Sequence, residues 1–277
     1  MSDIVNVKGK KVLVTGSGTG IGRGTALAFS QAGADVAVHY SHSAKGAEKT
    51  VEEIVSAGGK ARAFKADFNS VKEVQQLGKD AADYLGGMDI LVNNAGITLT
   101  HPFLEVTPEQ FDTVYNVNCR AMFFLTQSVV PAMEKQGKGV VINIGSGHGF
   151  GGFRQHTVYA GTKGAIVSYS RTLAMELCNK NIRVMCVACG WTRVERQTNL
   201  LGDEFDWDKA GLNLPAGFVA TPQDMGNFIV CMASDVAKYV VGHTFIVDGG
   251  QMSAMACVDD FRKPVKEQWG SGYVPGV

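Results

Sequence analysis

Short apolar runs alternate with longer amphipathic stretches along most of the chain. Residues 11–15 (KVLVT), 35–40 (DVAVHY), 61–66, 89–92 (DILV), 140–144 (VVINI), 183–188 (RVMCVA) and 244–247 (TFIV) each read as a strand. These runs are nearly continuous in apolar residues rather than alternating, which is the pattern of strands covered on both faces. Between them, residues 22–32 and 44–57 carry helical spacing, and a further helix is expected over 159–179. Strands joined by helices predict a parallel sheet, and right-handed crossovers wind the helices onto both of its sides. The expected fold is therefore α/β, a doubly wound, Rossmann-like parallel sheet. No Pro/Ser-rich linker and no repeat interrupts it, so residues 1–250 read as one domain and 251–277 as a C-terminal extension.

Two stretches break the rhythm. Residues 191–215 carry Trp207 and the acidic cluster Asp203, Glu204, Asp206 and Asp208, and read as irregular. Long irregular connections are more often functional than idle, so 191–217 is expected to be a substrate loop or lid. The extension ends in WGSGYVPGV, whose aromatic and apolar residues argue against a purely solvated tail.

The 159–179 helix places Ile166, Leu173, Ala174 and Leu177 on one face, while Val167, Tyr169 and Met175 add apolar surface elsewhere. A helix that only covered its own sheet would need one apolar stripe. The run Ala121-Met122-Phe123-Phe124-Leu125 has the same excess, so pairing across a two-fold axis, with Ala174 in the contact, is expected to give a homodimer or homotetramer.

Composition narrows the function classes. Of 277 residues 45% are hydrophobic and 19% charged, and a single domain of this size buries about three quarters of its unfolded surface without a disulfide or metal staple. Lys and Arg total 26 and Asp and Glu total 26, so nothing suggests a grip on nucleic acid. The N-terminal residues hold no apolar leader and no run reaches membrane-spanning length, so a cytoplasmic protein is expected. Cys119, Cys178, Cys186, Cys189, Cys231 and Cys257 sit mostly in apolar stretches. Cys186-Val187-Ala188-Cys189 spells C-x-x-C, but along a strand its side chains point to different faces, which favours packing over redox chemistry. His39, His42, His101, His156 and His243 show no ligand spacing, and no metal is expected.

The chemistry begins at Thr15-Gly16-Ser17-Gly18-Thr19-Gly20-Ile21-Gly22, between the first strand and a helix. Glycines there permit a tight turn and let backbone amides approach a pyrophosphate at the helix N-terminus. At later strand ends stand Asp67 and Asn93-Asn94-Ala95-Gly96, on the rim where open α/β sheets bind ligands. Tyr159 and Lys163 lie four apart on one helix face. Tyrosine, with an ordinary pKa of about 10, is a poor base near neutrality. An adjacent ammonium favours its ionised form, so that it exchanges a proton with an alcohol or carbonyl oxygen. Ser146, just beyond the fifth strand, offers a hydroxyl to that same oxygen.

In this order, T-G-x3-G-I-G, N-N-A-G, Y-x3-K and V-D-G-G (247–250) resemble the short-chain dehydrogenase/reductase family over roughly residues 8–250. The resemblance implies a nicotinamide-dependent oxidoreductase with catalytic Asn118, Ser146, Tyr159 and Lys163. Gly16, Gly20, Ile21 and Gly22 would hold the pyrophosphate, with Ser17 and Thr19 in the same loop. Asp67, beside Phe68, would meet adenine, and Asn94, Ala95 and Gly96 would line the ribose. Lys163 would also reach the nicotinamide ribose, and Asn118 would hold a water in a proton relay to it.

The chain departs from the family after the sixth strand, where Cys189-Gly190-Trp191-Thr192-Arg193-Val194 has Cys for the usual proline and Val194 for the usual threonine. Thr192 or backbone groups near Gly190 would then serve the cofactor's carboxamide. At the end of the second strand, Tyr40 and Ser41 occupy the position that reads the adenosine ribose, and no acid stands near Tyr40. Ser41, His42 and Ser43 suit a 2′-phosphate, so NADP is the favoured cofactor, with NAD second. His148, Trp191, Arg154, Gln155 and Arg193, with Ser146 and Tyr159, make a polar candidate pocket for a sugar, polyol or hydroxy acid. A 3-oxoacyl thioester is the alternative substrate. A catalytically inactive nucleotide sensor is the alternative from another class, against which Tyr159 and Lys163 both stand. A lyase or epimerase on the same fold would call for a larger C-terminal substrate domain than 277 residues readily hold.

Overall fold

The apolar runs do form the strands. In chain order the elements begin β1 (Lys11–Val14), α1 (Gly20–Gln31), β2 (Asp35–Tyr40), α2 (Ala44–Ser56), β3 (Ala61–Lys65), α3 (Val71–Leu85) and β4 (Ile90–Asn93). There follow α4 (Pro108–Tyr115), α5 (Ala121–Gln136), β5 (Gly139–Ser146), α6 (Thr157–Leu177) and β6 (Ile182–Cys189). The series ends with α7 (Glu195–Leu201), α8 (Trp207–Gly211), α9 (Pro222–Ala233) and β7 (Thr244–Val247). The computed structural model describes residues 5–254. Its strands form one parallel sheet in the order β3-β2-β1-β4-β5-β6-β7.

Burial on both faces explains the unbroken apolar runs. Val12 and Val14 of β1 join a core that includes Ala26 and Phe29 of α1, Ile54 of α2, and Met225 and Ile229 of α9. Leu13, between them, joins the opposite core with Leu77 of α3, Leu125 and Val129 of α5, and Leu177 of α6. The strand order reverses between β1 and β4, which opens a crevice at their carboxyl ends.

Three expectations are corrected. β5 and β6 run further than their apolar cores because pairing continues through Gly145↔Ala188 and Ser146↔Cys189, which sets Ser146 at the end of a strand. Residues 191–217 are not irregular throughout. α7 and α8 both form there; α8 belongs to a small core of Trp207, Leu214 and Val219, with Trp191 and Phe205 packed on it, and the Asp206 carboxylate caps this helix by accepting the Lys209 N–H. Ala174 is fully buried in its own subunit's core, as Ile166 and Leu177 are, because that face of α6 rests on the sheet. The surplus apolar surface instead carries Phe123, Tyr169 and Met175, which are 48%, 42% and 59% exposed. Cys257 and most of the 251–277 extension lie outside the described residues. Among the described residues no helix is long and apolar enough to cross a membrane.

Candidate active site

The loop between β1 and α1 is set by backbone contacts that only glycine allows. Gly16 has a φ of +62°, and a Cβ there would stand 3.0 Å from the Ala95 Cα; a Cβ on Gly22 would stand 2.3 Å from the Gly16 oxygen. The chain that leaves β4 clamps this loop. Thr15 Oγ1 accepts the backbone N–H groups of Asn94 and Ala95, both at 2.9 Å, and Asn94 Nδ2 donates to the Thr15 oxygen at 2.8 Å. The Asn94 side chain thus holds the turn, and Gly96 stands exposed beyond it.

The N-terminus of α1 takes an anion. Gly20 N–H donates to Glu195 Oε2 at 2.7 Å, and Thr19, exposed at the N-cap, makes no side-chain cap bond. A tight glycine turn with a helix-terminal N–H that binds a carboxylate suits a dinucleotide pyrophosphate. Glu195 carried no signal in the sequence beyond its place directly after Val194. Val194 packs against Gly20, its Cγ1 lying 3.3 Å from where a Gly20 Cβ would stand.

Two residues expected among the cofactor contacts face inward instead. Ser17 is fully buried, its Oγ donating to the Val14 oxygen at 2.7 Å and accepting the His39 N–H at 3.1 Å, so its hydroxyl holds the loop. The Phe68 ring is buried on His39, with centroids 4.4 Å apart and planes 15° apart. Asp67 is half-buried, and its Oδ1 accepts the Asn69 N–H at 2.9 Å. Tyr40 and Ser41 lie half-buried at the end of β2, and Ser43 Oγ lies 2.6 Å from where a Gly18 Cβ would stand.

At the carboxyl end of β5 the structure brings Ser146, Tyr159 and Lys163 together. Ser146 Oγ accepts the His148 N–H at 3.3 Å, which leaves its own proton to donate. Lys163 is 5% exposed, and its Nζ donates to the Ile144 oxygen at 2.8 Å and lies 5.5 Å from the Tyr159 ring centroid. Asn118 sits in a π turn (Asn116–Arg120), where the wider ladder displaces a carbonyl from its ordinary partner. Its side chain is tied down: Oδ1 accepts the Ile97 N–H at 2.8 Å, and Nδ2 donates to the Ile97 oxygen at 2.9 Å and to Thr162 Oγ1 at 3.1 Å. Both Nδ2 protons are therefore used, so any donor to a water would have to come from elsewhere.

His148 borders this group. Its ring stacks on His156 with centroids 5.0 Å apart and meets Tyr159 edge-on at 5.5 Å. Its Nδ1 is buried with no hydrogen-bond partner. Burial first, then the charges of His156 and Lys163, lower its pKa, which favours the neutral ring. Trp191 is half-buried and lies against Trp207 at 5.9 Å, while the Arg193 guanidinium stacks 5.2 Å over Trp207. Both therefore serve the loop's own core at least as much as a pocket. Arg154 and Gln155 are exposed, Gln155 with a φ of +64° just before α6. Thr192 is buried, its hydroxyl donating to the Gly190 oxygen at 3.1 Å.

The cysteines divide as strand geometry requires. Cys186 packs with Met122, Ile166 and Val167 on one face, and Cys189 joins the opposite core. Burial pushes their thiols up to about 11 and about 12, and Cys119 up to about 11, so all three stay protonated at neutral pH. Among the described residues no group of three or more His, Cys, Asp or Glu side chains could hold a metal ion.

Known proteins match this chain over most of its length. Residues 16–252 match a family model described as enoyl-(acyl carrier protein) reductase. A 3-oxoacyl-[acyl-carrier-protein] reductase of Staphylococcus epidermidis is 36% identical over 241 residues, 87% of this chain and 98% of that protein. Among solved structures, a 7α-hydroxysteroid dehydrogenase complexed with NADH and 7-oxo glycochenodeoxycholic acid is 35% identical with a TM-score of 0.84, covering 90% of this chain and 97% of its own. A Beutenbergia cavernae protein proposed to be an NAD(P)-dependent gluconate 5-dehydrogenase, with NADP bound at low occupancy, is 33% identical. Its TM-score is 0.83, and the match covers 91% of this chain and 100% of its own.

Proposed function

The chain belongs to the short-chain dehydrogenase/reductase family and is an NAD(P)-dependent oxidoreductase, and from that premise we propose that it interconverts a secondary alcohol and a ketone on a sugar, polyol or hydroxy acid. The observation that carries the proposal is the convergence of Ser146, Tyr159 and Lys163 at the end of β5.

The nicotinamide, when bound, supplies or accepts the hydride at the reacting carbon. Tyr159 donates a proton to the ketone oxygen in reduction and takes one from the alcohol in oxidation. The Lys163 ammonium, 5.5 Å from the Tyr159 ring centroid, is held beside that ring by the Ile144 oxygen. Its remaining protons are free for the cofactor ribose. Ser146 donates to the substrate oxygen as charge develops there, its orientation fixed by the His148 N–H. Asn118 braces the site by joining α6, through Thr162, to the segment after β4, through Ile97.

Gly16, Gly20, Ile21 and Gly22 hold the pyrophosphate, Asp67 the adenine, and Asn94 to Gly96 the ribose side of the loop. NADP is the preferred cofactor, since Tyr40, Ser41 and Ser43 end β2 without an acid to repel a 2′-phosphate. His148, neutral and beside Tyr159, orients a hydroxylated substrate, with Arg154 and Gln155 at the mouth and residues 191–217 as the lid. The kinship with a protein proposed to oxidise gluconate supports this class. The protein works in the cytoplasm as a homodimer or homotetramer paired through Phe123, Tyr169 and Met175.

A second reading is reduction of a 3-oxoacyl thioester. It is favoured by the acyl-carrier reductase of Staphylococcus epidermidis, and by Phe150 and Phe153, which are 46% and 68% exposed on the segment between Ser146 and Tyr159. A panel of sugars, polyols, hydroxy acids and oxoacyl thioesters, followed at the nicotinamide absorbance with each cofactor, separates the two. Faster turnover of the thioesters would replace the first reading with the second.

A further inference from the structure

His39 is 1% exposed, yet all four of its polar groups are engaged. Its backbone N–H donates to Ser17 Oγ at 3.1 Å, and its carbonyl accepts the Ser17 N–H at 2.9 Å. Its Nδ1 accepts the Gly16 N–H at 3.1 Å, and its Nε2 lies 3.2 Å from the Ala66 oxygen. A backbone N–H can only donate and a carbonyl can only accept. These two partners therefore fix the tautomer, with the lone pair on Nδ1 and the proton on Nε2.

We propose that His39 is a positioning residue that pins the glycine loop to the end of β3, in the form that receives the cofactor. The proposal rests on the dinucleotide reading of that loop. One ring spans both halves of the proposed adenosine site: Gly16 opens the pyrophosphate turn, and Ala66 directly precedes Asp67. The Phe68 ring, stacked on His39 at 4.4 Å, closes the other side. Gly16 needs the pin because its N–H points at His39 of β2 in a part-buried site, where an unpaired donor would be costly. Burial pushes the His39 pKa down to about 4, so the neutral tautomer that the geometry requires persists through the neutral range. The neighbouring Tyr40 and Ser41 are the residues placed to read the 2′ position, so His39 acts on the loop without discriminating between cofactors.

The test compares His39→Leu, which fills the space without polar atoms, with His39→Asn, whose Oδ1 can take the position of Nδ1. In titrations of the cofactor-free protein, His39→Leu should raise the Kd of NADPH and NADH alike by about tenfold, the worth of one buried hydrogen bond. His39→Asn should recover most of that loss. The kcat at saturating cofactor should stay within about twofold of wild type in both, by the same reasoning that the reacting groups are untouched. Amide exchange at Gly16 should quicken in the Leu variant and not in the Asn variant, and this readout needs no cofactor. Nitrogen NMR of the wild-type protein should find the Nε2–H tautomer, which tests the pin even if His39→Leu does not fold. An Nδ1–H tautomer, an unchanged Kd in the Leu variant, or a changed NADPH/NADH ratio would overturn the proposal. If wild type bound neither dinucleotide the proposed function would fail, while the tautomer and the Gly16 exchange would still judge the pin.

Discussion

The Glu195 carboxylate accepts the Gly20 N–H at 2.7 Å, across 175 residues of sequence, at the helix terminus proposed for the pyrophosphate. α1 has no acidic residue in its own first turn, so Glu195 at the start of α7 supplies the anion that this terminus attracts. A bound pyrophosphate and this carboxylate compete for one donor, and their negative charges repel. Glu195→Ala should therefore tighten cofactor binding by about threefold to tenfold. It should also loosen α7 from the glycine loop, read as faster proteolysis within 191–217 before cofactor is added. An unchanged or weaker affinity in calorimetric titration would show that the two anions do not compete.

Tyr159→Phe keeps the ring that meets His148 at 5.5 Å and removes only the transferable proton. Turnover should fall by about 10²- to 10⁴-fold while cofactor affinity stays near wild type. Retention of more than about a few per cent of kcat would remove Tyr159 from the acid/base role, since general catalysis of this kind has that magnitude.

The parts of this molecule that depend on local pattern were legible, and those that depend on distant partners were not. β2 and β7 fall where the apolar runs lie because polar or turn residues bound both ends. β5 and β6 extend through Gly145, Ser146 and Cys189 only because each pairs with the other, which no single run displays. α7 and α8 have seven and five residues, too short for a helical period to register, and an aromatic cluster holds α8. Ser17 and Phe68 stand beside motif residues, but His39 turns them inward, and nothing in the glycine motif announces it. Tyr159, Lys163 and Ser146 were readable because a four-residue helical offset and a strand end are themselves local features.

Cofactor preference is testable at the end of β2. Tyr40→Asp should swing the ratio of kcat/KM toward NADH, by about tenfold or more, because a carboxylate pairs with free ribose hydroxyls and repels a 2′-phosphate. An unmoved ratio would mean that Tyr40 does not face the ribose.

His39 also makes stability depend on pH with a definite sign. Its pKa falls from 6.5 to about 4 on folding, chiefly through burial, with the Ala66 bond partly opposing. Above pH 6.5 neither state carries the proton and the stability is complete. Between 6.5 and 4 the unfolded chain takes up a proton that the folded one refuses, so stability declines as pH falls. The loss from this one group should approach roughly 3 kcal/mol by pH 4. Urea unfolding at pH 7, 5.5 and 4.5 should show His39→Asn losing less than wild type over that range. Parallel losses in the two proteins would assign the acid sensitivity elsewhere.

The proposed assembly is testable on the outer face of α5 and α6. Phe123 and Tyr169 meet edge-on with centroids 6.4 Å apart, and both are exposed. Beside them Tyr115, Asn116, Cys119, Arg120 and Phe124 line a shallow groove. Scattered single apolar residues on a surface need no explanation, but a contiguous aromatic patch flanked by a groove does. A two-fold axis through it would seat each protomer's Phe123 against the other's Tyr169 in a self-complementary contact. Phe123→Arg should then yield a monomer in sedimentation equilibrium at micromolar concentration, with lower activity because α6 also carries Tyr159 and Lys163. Ala174→Arg should act differently, unfolding the chain, since Ala174 is fully buried beneath that surface and has no room for a guanidinium. A wild-type protein that sediments as a monomer would dismiss the interface. An oligomer indifferent to Phe123→Arg would move it to another face.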